Sequence, residues 1–173
     1  MLLCTGFQPV QSLFNDCRYF VNALELKIPP VLVVAVSALF MWLLANFAPI
    51  VLINFAGQIV IAILLAIVGA QIAIAGARAC YDRQTTVNPL KPEESSTLIT
   101  DGVFKVSRNP IYLGLLLALI GFAVWLGALT AALVIPMFVW YMNQFQIKPE
   151  ERSLQQQFAD QFTQYTRRTR RWI

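Results

Sequence analysis

Two long stretches of the chain carry no Asp, Glu, Lys or Arg, residues 28–77 and 109–147. A membrane-crossing helix needs about 20 apolar residues to traverse roughly 30 Å of hydrocarbon. The first stretch predicts two such helices, 28–47 and 50–77, turning at Ala48-Pro49. The second predicts two shorter ones, 110–126 and 128–143, turning at Gly127. Pro136 is expected to kink the fourth helix, because it removes a backbone donor. Ahead of these, Val10, Leu13, Phe14, Cys17, Phe20, Val21 and Leu24 recur at helical spacing with polar residues between them, which predicts an amphipathic surface helix within 1–27. Behind them, Lys148-Pro149-Glu150-Glu151 has the composition of a helix start, and Leu154, Phe158, Phe162 and Tyr165 form one apolar stripe. The expected fold is all-α, a single integral membrane domain over 1–173. It has four transmembrane helices as two hairpins (28–77 and 110–143), N-terminal and C-terminal amphipathic cytoplasmic helices (1–27 and 144–173), and a connecting loop, 78–109.

Charge orients this arrangement. An even number of crossings puts the N-terminal segment, the central loop and the C-terminal tail on one side, and these hold all 13 Lys and Arg residues. The positive-inside bias makes that side cytoplasmic and, for a bacterial cell, the membrane the inner one. The run Arg167-Arg168-Thr169-Arg170-Arg171 reads as a basic anchor to anionic lipid. Composition agrees with a membrane protein: 58% of residues are hydrophobic and 13% charged, against about 25% charged in soluble domains. A soluble enzyme and a nucleic-acid partner are excluded on this ground, despite the net charge of +4. The chain has no histidine, which removes histidine-based triads, metal sites and proton shuttles. Three scattered cysteines make neither a zinc cluster nor a disulfide framework, so no metal is expected. Asn54, Gln58 and Gln71 are expected to make packing hydrogen bonds between helices rather than to bind substrate.

The remaining chemistry lies in the loop and just beyond it. Asp101-Gly102 signals a turn, and Arg108-Asn109-Pro110 sits where the loop becomes the third helix. A helix N-terminus attracts anions, and Arg108 adds a planar fork suited to a carboxylate. The plain alternative is that Arg108 obeys the positive-inside rule, Tyr112 is a belt aromatic, and Glu150 and Glu151 are first-turn acids.

Arg108-Asn109-Pro110-Ile111-Tyr112-Leu113-Gly114, followed after an apolar hairpin by Glu150-Glu151, resembles the signature of the isoprenylcysteine carboxyl methyltransferase and phospholipid methyltransferase superfamily. That signature is Arg-His-Pro-x-Tyr-x-Gly, a helical hairpin, then Glu-Glu. The lead-in Thr97-Leu98-Ile99-Thr100-Asp101-Gly102-Val103-Phe104 and the tail with Leu154, Phe158, Phe162 and Tyr165 resemble the family's as well, so the likeness spans about residues 85–165. It implies methyl transfer from S-adenosyl-L-methionine at the cytoplasmic membrane face. The residues implied to bind the cofactor are Ser96, Thr97, Leu98, Ile99, Phe104, Asn109, Pro110, Tyr112 and Glu150, with Glu150 on its amino group. Arg108, Asn109, Tyr112 and Glu151 are implied at the reacting centre, and Gln146 at the substrate. Two positions depart from the family. Asn109 replaces its histidine and cannot carry charge. Gln146 stands where prenylcysteine enzymes place an arginine for the substrate carboxylate, and it cannot make that charge-assisted contact.

The expected acceptor is a lipidic or membrane-held carboxylate or amine. A sulfonium methyl is already activated, so alignment and exclusion of water carry most of the work. A carboxylate acceptor needs no base, whereas an amine must first lose a proton. Membrane lipids are the expected partners. The alternative is a non-catalytic membrane accessory protein that retains the fold. A small transporter is disfavoured because both apolar stretches lack charge.

Overall fold

In a computed structural model, which describes residues 25–84 and 96–173, every regular element is helical. These are α1 (Pro30–Phe47), α2 (Gln58–Asp82), a 3-10 turn (Gly102–Lys105), α3 (Pro110–Leu126), α4 (Leu129–Ala132), α5 (Val134–Met142), a π-helical turn (Asn143–Ile147) and α6 (Lys148–Arg168). The expected N-terminal surface helix lies outside the described residues, apart from its last positions.

α1 and α2 are long and apolar enough to cross a membrane, at 18 and 25 residues. They are not core helices of a soluble fold, since most of their apolar residues lie exposed. Val31, Leu39, Ile59, Ile63 and many neighbours stand exposed, an apolar surface that lipid covers at no cost. α3 is apolar throughout but has 17 residues, about 25 Å of helix.

The two helices of the first apolar stretch do not pair with one another. α3 is central: α2 packs along one side of it, and α1, α4 and α5 along the other. Small residues explain the preference. A Cβ on Gly114 would lie 2.3 Å from the Gly69 carbonyl oxygen, and one on Gly121 would lie 2.8 Å from that of Ala62. The α2 and α3 backbones therefore touch, as small-residue stripes allow in lipid. On the other side Met41, Leu119, Val134, Phe138 and Met142 interdigitate as the apolar core.

Three sequence expectations change. The turn at Ala48-Pro49 extends into a connector, and α2 begins eight residues later than expected, at Gln58. The connector's backbone is satisfied sideways: Ile53 N–H donates to the Gly127 carbonyl at 2.7 Å, and Leu129 N–H to that of Val51 at 3.0 Å. Gly127 ends α3 in the left-handed region (φ 65°), which a glycine adopts without a Cβ penalty. Next, the fourth helix breaks at Leu133 rather than at Pro136. Pro136 has no N–H to give the carbonyl four residues earlier, at Ala132, and α4 ends there. Last, Lys148 does not start a separate helix. The π-helical turn carries α5 directly into α6, with Pro149 in the first turn. α6 is itself kinked at Ala159 (φ 34°, ψ −105°), whose carbonyl accepts from Gln155 Nε2 at 3.0 Å and Thr163 Oγ1 at 3.1 Å.

Candidate functional site

The site forms at the Pro110 end of α3, where the 3-10 turn, the end of α2 and the start of α6 converge. Asp101 precedes the turn, whose chain then runs through Ser107, Arg108 and Asn109 into α3. Pro110 occupies the first helical position, where a missing N–H leaves no bond unmade. Its ring lies on α2 at Gly76, where an added Cβ would come within 3.0 Å of it.

One turn into α3, buried Tyr112 donates its hydroxyl to Glu150 Oε2 at 3.1 Å. Arg108 donates Nη2 to Glu151 Oε1 at 2.7 Å, and Nη1 to the carbonyls of Thr166 and Thr169 at 3.4 and 3.3 Å. Arg171 approaches the same carboxylate from the far side, with Nη2 on Oε2 at 2.5 Å and Nε on Oε1 at 3.2 Å. The helical hairpin thus returns residues about 40 positions apart to one pocket, the distance that the sequence spacing required.

The two glutamates are adjacent in sequence but differ in chemistry. Glu151 is held between two guanidiniums. Glu150 has no cationic partner among the described residues. Burial pushes its carboxyl up to about 7; the Tyr112 hydrogen bond opposes this and the negative charge of Glu151 adds to it. Arg108 keeps its Nε buried and without a partner. A buried donor and an unpaired carboxylate are both costly unless something binds them.

Around these groups lies a cavity of about 80 Å³. Thr97, Leu98, Ile99, Phe104, Arg108, Asn109, Glu150 and Glu151 line it, so most of the residues expected from the sequence come together. Four others do not line it. Ser96 is exposed and donates Oγ to the Gln84 carbonyl at 3.0 Å. Pro110 faces Gly76. Tyr112 reaches the site only through Glu150. Gln146 is fully buried one turn before Glu150, where it donates Nε2 to the Ile28 carbonyl at 2.6 Å, and its Oε1 has no partner. Asn109 donates Nδ2 to the Arg171 carbonyl at 2.9 Å, so its amide ties down the chain end.

Cys80, Leu154, Phe162 and Tyr165 complete the lining. Leu154, Phe162 and Tyr165 were visible as a stripe, but a stripe does not say what it faces. Tyr165 donates its hydroxyl to the Phe104 carbonyl at 2.7 Å, which closes the turn over the cavity; burial pushes that hydroxyl's pKa up, so it stays a neutral donor. Leu98 and Tyr165 also border a neighbouring cleft of about 470 Å³, lined as well by Thr100, Gln161 and Arg168.

Residues 57–161, more than half the chain, match the family described as phospholipid methyltransferase. The chain belongs to the phospholipid methyltransferase family. The match starts one residue before α2 and ends within α6, so it contains the helix pair and both glutamates. Two curated proteins are similar to it. An uncharacterized protein of Haemophilus influenzae (strain ATCC 51907 / DSM 11121 / KW20 / Rd) is 41% identical over 63 residues, which is 36% of this chain and all of that protein. Protein-S-isoprenylcysteine O-methyltransferase B of Arabidopsis thaliana is 33% identical over 79 residues, 46% of this chain and 40% of that protein's length. No solved structure matches. Family and helices together make this a membrane-associated protein of a methyltransferase family.

The donor set fits the amino-acid end of S-adenosyl-L-methionine. Among the described residues Glu150 is a carboxylate without a cation, and Arg108 Nε is a buried donor without an acceptor; an ammonium and a carboxylate would answer them. The 80 Å³ cavity is smaller than the roughly 300–1,000 Å³ of ordinary small-molecule sites. The cleft of about 470 Å³ shares Leu98 and Tyr165 with it.

Proposed function

We propose that the chain is an S-adenosyl-L-methionine-dependent methyltransferase. It acts at the cytoplasmic face of a membrane, in bacteria the inner one, on a lipidic or membrane-held acceptor with a carboxylate or amine. The observation that carries this is the half-buried Glu150, which has no cationic partner among the described residues, beside the Arg108–Glu151–Arg171 cluster at the Pro110 end of a family-matched helix pair. In this reading all four apolar segments cross the membrane, and both termini share the side of the basic residues.

When bound, the cofactor supplies a sulfonium-activated methyl group. The chain's residues bind and orient. Glu150 takes the ammonium, with its carboxylate held in place by the Tyr112 hydroxyl. Arg108, fixed by Glu151 and two α6-end carbonyls, offers Nε to a carboxylate. Ile99, Phe104 and Phe162 exclude water from the pocket, which strengthens each of these contacts. Holding the reactants in line supplies several kcal/mol of the rate enhancement. With no histidine in the chain and the Asn109 amide engaged on a carbonyl, a carboxylate or an already neutral amine is the acceptor best served.

A groove of about 630 Å³ between α1 and α5 supports a lipidic acceptor. Leu32, Val36, Phe40, Met137 and Trp140 line it, and it ends at Ile28 and Tyr141. Gln146 bonds the Ile28 carbonyl there, one turn from Glu150. A hydrocarbon chain lying in this groove would bring its polar head toward the site. The test incubates purified protein with lipid extract and labelled methyl donor. Label in an organic-soluble product, lost in Glu150→Ala, is expected. No labelled lipid from any extract, with cofactor binding intact, would favour the accessory-protein alternative.

A further inference from the structure

The basic chain end, which the sequence suggests is a membrane anchor, is built into the site. α6 ends at Thr169, where the backbone turns extended (φ −125°, ψ 132°) and the following residues cross the turn before α3. Three donors from that turn fix them. Arg108 N–H reaches the Arg170 carbonyl at 3.0 Å, and Ser107 Oγ and Asn109 Nδ2 reach the Arg171 carbonyl at 3.3 and 2.9 Å. The Trp172 indole donates to Asn143 Oδ1 at 3.2 Å. The Arg171 guanidinium therefore arrives at Glu151 on a backbone held from both sides. Arg167, Arg168 and Arg170 remain exposed.

We propose that Arg171 is a positioning residue of the cofactor site, which acts through Glu151 to favour the ionised form of Glu150 that takes a cationic amino group. The inference rests on the reading of Glu150 as the ammonium ligand. Two carboxylates adjacent in sequence suppress each other's ionisation unless the second is neutralised. Arg108 binds only one oxygen of Glu151, whereas Arg171 spans both. Arginine cannot give up its proton in this role, so the compensation is permanent. The other groups that face Glu150 are Tyr112 from α3, which donates to it, and Cys80 from α2, which is not cationic; Tyr165 of α6 lines the same cavity. Arg108 is the other cation on Glu151 and stays when Arg171 is removed, so the loss of Arg171 reduces the compensation of that carboxylate and does not abolish it.

Calorimetry of S-adenosylhomocysteine on the full-length protein in detergent, at pH 6.5 and pH 8.5, tests this. The ligand's own titration cancels in the ratio of variant to wild type. A rise of about one unit in the Glu150 pKa matters only where that group titrates. Arg171→Gln should therefore bind about tenfold more weakly at pH 6.5 and within about twofold of wild type at pH 8.5. Arg171→Gln combined with Glu151→Gln should move back toward wild type at pH 6.5, because the negative charge beside Glu150 has gone. Arg171→Lys keeps a charge, though not the fork, and should show no large change in pH dependence. An equal loss at both pH values in Arg171→Gln means a merely structural role and overturns the proposal, as does no loss at pH 6.5. Should Arg171→Gln not fold, Arg171→Met at the same two pH values decides: a loss confined to pH 6.5 supports the proposal, and an equal loss at both values, or none at either, overturns it. Absence of binding in wild type at both pH values would instead overturn the reading of Glu150 itself.

Discussion

The two ends of α3 are both closed by polar side chains from other elements, but in different ways. At the Gly127 end Gln58 of α2 does the work with neutral bonds. Its Nε2 donates to the Val124 carbonyl at 2.7 Å and the Trp125 carbonyl at 3.4 Å, and its Oε1 accepts from Phe55 N–H at 3.3 Å. The last carbonyls of a helix need such partners, so these bonds complete the fold. At the Pro110 end the side chains are charged and incompletely paired among the described residues, with Arg108 Nε left over and Glu150 without a cation. A structural pole satisfies its groups internally. A binding pole holds groups ready at a cost that a ligand recovers. The helix pair joins the two poles.

Disrupting that pair should abolish the comparison altogether. A side chain on Gly114 meets the Gly69 oxygen at 2.3 Å and the Ala73 nitrogen at 2.9 Å, backbone atoms that cannot step aside. Gly114→Leu should cost about 3 kcal/mol or more, at or beyond the upper end of overpacking effects, and thermal unfolding in detergent would show both poles lost together. Wild-type stability in this variant would mean that α2 and α3 do not touch as described. A smaller effect separates the poles. Gln58→Leu should lower stability by about 1–3 kcal/mol, by leaving carbonyls unmet, while cofactor affinity is unchanged in the folded fraction. A loss of affinity there would show that the Gly127 end is part of the site.

The smallest effect is one of pH. Glu150 holds its proton more tightly in the fold, to about pH 7, than a carboxyl does in an unfolded chain. That contribution to stability is complete below the ordinary carboxylate range and is lost as pH rises through about 7. The ligand-free protein should therefore lose melting temperature between about pH 5 and pH 8, and Glu150→Gln should flatten that decline. An unchanged slope in Glu150→Gln would place the titrating group elsewhere.

Much of this was readable from particular residues. The uncharged stretches bounded α1 closely, and Gly127 and Pro110 bounded α3, but α2 begins eight residues later than the stretch suggested. The order Arg108, Tyr112, Glu150, Glu151 announced a pocket because a hairpin must bring its ends back together. Connector 48–57 was not readable, since Val51, Leu52 and Ile53 are as apolar as any span and only their sideways bonds to 127–129 exclude a helix. Nor was the inward turn of Arg171. Four nearly equivalent arginines follow one another, and which of them meets Glu151 depends on backbone bonds to residues more than 60 positions away.

The claim that most needs testing is that Glu150 is a ligand rather than an acid placed near a helix start. Calorimetry of S-adenosyl-L-methionine with wild type, Glu150→Ala and Lys148→Ala tests it most directly. Lys148 is exposed two residues away, bonded to Gln144 Oε1 at 2.8 Å, and takes no part in the pocket. Glu150→Ala should weaken binding by about 2 kcal/mol or more, roughly 30-fold, because a desolvated charge loses its partner. Lys148→Ala should bind within about twofold of wild type. Wild-type affinity in Glu150→Ala would contradict the account.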